Sequence, residues 1–226
     1  NCSLNTSHKY IRTYYARMYE AKFLTGVLAG ALSNQDKIGY VAQYPVYGAV
    51  ANINAFAMGA KFVNPRAKVY LAWSSMKDVN VEDVFKKNDI RYISDQDMIT
   101  PQCSARKFGL YNNEGVGNRQ HIAMLYEKLI QSILSGSWKY DESADNVKAL
   151  NYWWGMSAGV VDLICSNKIP VETARLVDAF RSMIINGQFE PFSDEIYDQS
   201  RHLRNKKGNS LAPEEIITMD WLMDNV

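Results

Sequence analysis

Nine side chains of this chain are of types that recognise small molecules: Gln43, Tyr44, Tyr47, Trp73, Gln96, Asp97, Tyr111, Asn112 and Asn113. Aromatic rings offer flat apolar faces, while amides and a carboxylate hold hydroxyls and ring nitrogens by directed hydrogen bonds. Each of the nine falls at or just beyond the carboxyl end of a predicted strand, where ligands bind in open α/β sheets. For Tyr44 and Trp73, as for Trp154, a role as packed core rings stays equally open. This is a constellation for capture, and no catalytic residue, metal ligand or cofactor is assigned.

The motifs that would carry covalent chemistry are missing. There is no GxGxxG after a strand, no P-loop, no HExxH, no GxSxG and no pair of cysteine doublets. His8, His121 and His202 have no serine or cysteine partner in local sequence. Asp97 and Asp162 are the carboxylates that could pair for acid and base work if the fold brought them together, with capping roles as the alternative for each. Cys2, Cys103 and Cys165 lack metal-type spacing, and three thiols cannot all pair within one chain.

A formal net charge of +1 implies no general attraction to nucleic acid or to an anionic membrane. The short basic run Arg201, Arg204, Lys206, Lys207 reads as a solvated loop. No apolar run approaches the ~20 residues that cross a bilayer. At 226 residues and 47% hydrophobic, the chain can bury a sizeable core in one large or two small domains. It opens at Asn1 with neither an initiator methionine nor a signal peptide, and is therefore expected to be a fragment or a processed product.

The element that must position these residues is a βαβ unit from Ile38 to Ser74. Ile38 to Ala42 reads as a buried strand. A helix-period segment follows, with Val50, Ile53, Asn54, Ala57 and Lys61 on one side, and it stops at Asn64-Pro65 because proline cannot continue it. Lys68 to Trp73 is a second strand, parallel to the first through a right-handed crossover. Val79 to Lys87 is a short helix with Asp78 or Asn80 as its cap, Ile90 to Ser94 a third strand, and Phe108 to Tyr111 a fourth. All four strand ends are expected to point one way. Residues 1 to 34 read as one helix capped by Thr6 or Ser7, with Gly26 and Gly30 allowing close backbone approach. Arg119 to Ser135 reads as a helix, Val171 to Asn186 as another behind Pro170, and Pro213 onward as a last helix running to the end.

The ordered set KIGYVAQYPVYGAVANINAFAMGAKFVNP, KVYLAW, SGSWK, a Trp-Gly turn before GVVDL, INGQFEPF and LAPEEIITMDW resembles the basic membrane protein family. Its members are substrate-binding lipoproteins of ABC transporters, purine-nucleoside receptors among them. The resemblance runs from Tyr14 to the end. It implies an α/β fold: a parallel-sheet three-layer sandwich, a periplasmic-binding-protein type I-like lobe, with the first lobe largely missing. Residues 1–36 would be the last helix of that incomplete first lobe and the hinge, 37–209 the second lobe, and 210–226 a C-terminal helix packing back towards the hinge. Tyr44 and Tyr47 then lie in the first ligand loop of the second lobe. Asn112 and Asn113 stand where relatives have an aspartate-rich segment, and Arg119 or Gln120 lies near a lysine of theirs, so the pocket departs from the family pattern. The implied partners are a small-molecule ligand, with a nucleoside suspected, and an ABC permease. The implied location is extracytoplasmic, at a bacterial cell membrane, with membrane contact only through a lipid anchor outside this chain. A regulatory or structural protein that keeps the fold without a transport ligand is the alternative, and an enzyme acting on nucleosides is the third reading.

Overall fold

The computed structural model describes residues 14–76, 80–95, 109–113, 119–127 and 152–226. A six-stranded sheet is ordered β3-β2-β4-β5-β6-β8, where β2 is Lys37–Ala42, β3 Lys68–Trp73, β4 Tyr92–Ser94, β5 Leu110–Asn113, β6 Arg119–Glu127 and β8 Val161–Cys165. Helices α1 (Met18–Leu32) and α2 (Ala49–Val63) cover one face and α3 (Val81–Lys87) the other. The two faces follow from the period-2 alternation of a strand. Ile38, Tyr40 and Ala42 enter the main core, while Val41 points into a smaller core with Phe85, Ile90, Ile93 and Tyr111. The sandwich is thus α/β and three-layered, as expected.

The βαβ unit forms as its sequence dictates. β2 and β3 are parallel, with Ile38 opposite Val69 and Ala42 opposite Trp73, and α2 ends before Asn64. α3 is capped by the Asn80 side chain, which accepts from the Glu82 N–H at 3.1 Å. β4 adds to β2 in parallel, Tyr40 opposite Ser94.

Beyond β4 the sheet departs from the expected pattern. β5 runs antiparallel to β4, with Tyr92 opposite Asn112, so the fourth strand end points the opposite way from the other three. Arg119–Glu127 is a strand and not the start of a helix; it pairs antiparallel with both β5 and β8. Its apolar residues Ile122, Leu125, Tyr126 are compatible with a helical stripe, and neighbouring strands override that local preference. Residues 128–135 of the expected helix lie outside the described residues.

The first helix is also shorter than its sequence reading. Tyr14–Ala16 forms β1, paired in parallel with β7 (Tyr152–Trp154), and α1 begins at Met18 without a side-chain cap. The capping positions Thr6 and Ser7 lie outside the described residues. From Tyr19 to Gly30 every residue of α1 is buried. Such a helix cannot be amphipathic, and its glycines explain how it fits. A Cβ on Gly26 would lie 2.1 Å from the Phe56 carbonyl oxygen, and one on Gly59 of α2 2.1 Å from that of Phe23. The two backbones touch, as the spacing of Gly26 and Gly30 implies.

Helix α4 (Val171–Ile185) lies on the surface, with Val177 and Ile184 buried. Strands β9 (Ile196–Tyr197) and β10 (Leu203–Asn205) form a small hairpin, so part of the expected solvated loop is structured. Asn205 is buried there, and its amide donates to the carbonyls of Phe192, Asp194 and Asn209. The last helix, α5, spans only Pro213–Ile217, and the tail after it is pinned rather than helical. Asn54 of α2 holds Trp221 and Met223, Asn225 donates to Ala57, and Lys61 pairs with Asp224 at 2.6 Å. Among the described residues no helix is long and apolar enough to cross a membrane.

Candidate functional site

The carboxyl ends of β3, β2 and β4 lie side by side. The connection after β2 leaves over the α2 face, and the one after β3 leaves towards α3 on the other face. Open α/β sheets bind ligands beyond such strand ends, where the strand order turns back, which here is at β2 between β3 and β4. Ser74 ties the ends of β2 and β3 together, donating both its N–H and its hydroxyl to the Ala42 carbonyl at 2.8 and 3.2 Å.

The loop after β2, residues 43–47, is exposed along its whole length. Tyr44 is 62% exposed and Tyr47 54%, with Val46 exposed between them and Met76 exposed after β3. Large apolar side chains left in water at a sheet's ligand end are the informative kind of exposure. The loop is held at its far end. Gly48 has φ +79, its N–H donates to the Ile217 carbonyl at 2.9 Å, and a Cβ there would meet the Tyr15 hydroxyl at 2.3 Å. Tyr15 is in turn stacked on Trp153 at 4.9 Å. Gly48→Ala is accordingly expected to lose about 1–3 kcal/mol of stability through left-handed backbone strain and this contact. A thermal unfolding midpoint that stays at the wild-type value would refute the placement of Tyr15.

Beneath these strand ends sits a buried polar group. Lys22 of α1 is 1% exposed; its Nζ donates to Ser94 Oγ at 2.9 Å and lies 4.7 Å from the centre of the Tyr40 ring. Asp95 follows Ser94, is also buried, and donates its N–H to the Gly109 carbonyl at 2.9 Å. The Lys22 ammonium and the Ser94 hydroxyl thus meet under the ends of β2 and β4, with the buried Asp95 next in the chain. Lys22 and Asp95 were missed from sequence. Lys22 sits in a helix that reads as apolar, and the one available signal was a charged residue within that stripe.

The expected site residues divide into three groups. Gln43, Tyr44, Tyr47 and Trp73 fall at the adjoining ends of β2 and β3, with Trp73 half-buried and packed against the main core. Tyr111, Asn112 and Asn113 do not join them. Tyr111 is buried in the smaller core, and because β5 runs antiparallel, Asn113 lies by Arg91 at the amino end of β4, its N–H donating to the Arg91 carbonyl at 2.7 Å. Gln96 and Asp97 lie outside the described residues, and with them the Asp97–Asp162 pairing. Asp162 itself takes a two-pronged ion pair from Arg181, at 2.8 and 2.6 Å. Trp154 is half-buried against the main core. Cys165 is a free, exposed thiol, and Cys2 and Cys103 lie outside the described residues. Among the described residues no group of three His, Cys, Asp or Glu side chains is placed to hold a metal ion.

Comparison with known proteins agrees with this architecture. Over 94% of its length the chain is 25% identical to a purine-binding protein of Brucella abortus (strain 2308), and over 82% it is 25% identical to a Haloferax volcanii protein named as an ABC transporter glucose-binding protein, TsgA13. It spans 64% and 50% of the lengths of those two relatives. Among solved structures, a solute-binding protein of an ABC transporter system from Aeropyrum pernix K1 superposes with a TM-score of 0.50 at 12% identity, covering 82% of this chain and 68% of that one. A transcriptional activator of the comK gene from Bacillus halodurans superposes with a TM-score of 0.54 at 14% identity, covering 79% and 67%. Both share the fold. The profile of the Bmp family, described as ABC transporter substrate-binding protein PnrA-like, matches residues 4–128, more than half of the chain, and the chain belongs to that family.

Proposed function

We propose that this chain is the ligand-capturing part of an ABC-type uptake system and takes a purine or purine nucleoside over the carboxyl ends of β2, β3 and β4. The observation that carries the reading is the exposed pair Tyr44 and Tyr47 at the diverging connections of a Bmp-family sheet. A purine offers two flat faces to such rings, and the polar group formed by Lys22, Ser94 and Asp95 lies below to meet its heteroatoms or a ribose. The name of the Brucella abortus relative, a purine-binding protein, points to the same ligand class.

In this reading the described body is one lobe of a two-lobed binder. We place its lower boundary at β1, ahead of residue 37, since α1 is buried against α2 and the sheet along its length. The site works outside the cytoplasmic membrane and hands its ligand to a permease. The role is capture and release, with no bond made or broken.

Calorimetric titration of the full-length protein with adenosine, guanosine, free adenine and glucose tests the reading. Purines are expected to bind at micromolar concentration or below. Tyr44→Ala is expected to weaken them by roughly 5- to 150-fold, the loss of about 1–3 kcal/mol of base stacking. Binding of glucose alone would move the ligand class to sugars. Silence across the panel from folded protein would reject capture and favour the regulatory alternative.

A further inference from the structure

The loop that carries Tyr44 and Tyr47 does not fix its own place. Its internal bonds are local: the Val46 N–H donates to the Tyr44 carbonyl at 2.8 Å, and the Ala49 N–H to the Val46 carbonyl at 2.9 Å. Turns of this kind shape a loop without deciding where it stands over a sheet. α2, which follows, has Gly48 at its N-cap and no side-chain cap to orient its start. The far end of the loop is held instead by two segments distant in the chain. The Gly48 N–H donates to the Ile217 carbonyl at 2.9 Å. The end of the Tyr15 ring crowds Gly48, where a Cβ would lie 2.3 Å from the hydroxyl oxygen, 2.7 Å from Cε2 and 2.9 Å from Cζ.

Tyr15 is itself fixed twice. Its backbone pairs with that of Trp153 between β1 and β7, and its ring stacks on the Trp153 ring at 4.9 Å with 18° between the planes. Trp153 in turn lies against Tyr19 of α1, with 6.0 Å between ring centres. Both stacked rings are half-buried and pack on the main core. The stack lies outside β2, β3 and β4, yet it ends on the residue that closes the loop after β2.

We propose that Tyr15 is a positioning residue for ligand capture: braced by Trp153, its ring end sets where Gly48 stands and so holds Tyr44 and Tyr47 at the ends of β2 and β3. The proposal rests on the purine reading above for what those two rings do. A loop already held in its binding shape is spared the cost of being ordered by the ligand, and for two tyrosines that saving corresponds to roughly tenfold in affinity. Tyr15 acts through Gly48, and its hydroxyl oxygen is the nearest of its atoms to the place a Gly48 Cβ would take. Phenylalanine would keep the stack and lose only that reach.

Two readouts on the full-length protein separate this role from a general loss of stability. The first needs no ligand: the rate of chymotrypsin cleavage after Tyr47 under native conditions. Tyr15→Ala is expected to raise it about tenfold, and Tyr15→Phe to raise it less. Phe85→Leu, which loosens the smaller core on the other face of the sheet, is expected to leave it near the wild-type rate. The second is calorimetric titration with adenosine, which Tyr15→Ala is expected to weaken about tenfold, Tyr15→Phe less, and Phe85→Leu not at all. Unchanged cleavage in Tyr15→Ala, an equal rise in Phe85→Leu, or a loosened loop that binds adenosine with wild-type affinity would overturn the proposal. Wild-type protein that binds no purine would instead remove the purine reading, and the cleavage rates would still decide whether Tyr15 holds the loop.

Discussion

Gly26→Ala is expected to be among the most damaging single-methyl changes this fold can suffer, with a loss of about 3 kcal/mol or more, at the upper end of the range for overpacked cores. Two effects compete. Alanine is the better helix former by about 1 kcal/mol, because glycine gives up more backbone freedom on folding. Against this, the new Cβ would sit 2.1 Å from the Phe56 carbonyl oxygen and 2.9 Å from its carbon, atoms of α2's own backbone that cannot swing away as a side-chain tip can. α1 and α2 would have to separate, and Gly59 against Phe23 makes the contact reciprocal. A separation there opens the core around Phe23, Leu24, Val27, Phe56 and Ala60, all with no exposed surface. Urea unfolding measures it directly: the midpoint should fall with little change in slope. A midpoint equal to that of the wild type would mean that the helices do not meet at these glycines.

Asn54→Ala should be of similar size for a different reason. Asn54 is fully buried in α2, and its amide serves a segment more than 160 residues away. Its Nδ2 donates to the Trp221 carbonyl at 2.8 Å and to Met219 Sδ at 3.0 Å, and its Oδ1 accepts the Met223 N–H at 2.9 Å. Alanine strands two backbone groups of the tail, each at about 1–3 kcal/mol when buried without a partner, so a total near 3 kcal/mol is expected. The loss should show as early proteolysis after Met219 as well as a lower unfolding midpoint. Asn54→Asp keeps the acceptor, loses the donor and buries a charge, and is expected to be no better. A variant that stays both stable and protease-resistant would contradict the pinned tail.

The parallel half of the molecule was legible in the sequence because its signals are local. Lys68–Trp73 is a largely apolar run between a proline-containing turn and a serine pair, with Val69, Leu71 and Trp73 facing one core and Tyr70 and Ala72 the other, and α2 ends before a proline. The same legibility extends to Tyr44, Tyr47 and Trp73, which follow from where those strands end. The antiparallel half was not legible. Nothing in Leu110–Asn113 records strand direction, which is set by the partner across the sheet, so a four-residue strand correctly suspected nearby was aimed the wrong way, carrying Tyr111, Asn112 and Asn113 to the other end. Arg119–Glu127 has a spacing that suits either period, and its pairing with β5 and β8 decides it. The buried charges Glu20 and Lys22 were hidden for the opposite reason. They lie within a strongly apolar helix, and burial on all its sides comes from packing that the helix does not encode alone. The tail after Thr218 looks helical by composition, but Asn54 takes two of its backbone groups and its own Asn225 side chain donates to the Ala57 carbonyl of α2.

The central claim is that ligand is held over the ends of β2, β3 and β4. Hydrogen exchange of the full-length protein with and without saturating adenosine tests it most directly. The account predicts added protection at residues 43–48, 73–76 and 94–95, with residues 110–113 unchanged. Protection confined to 110–113, or none at the three strand ends, would contradict it.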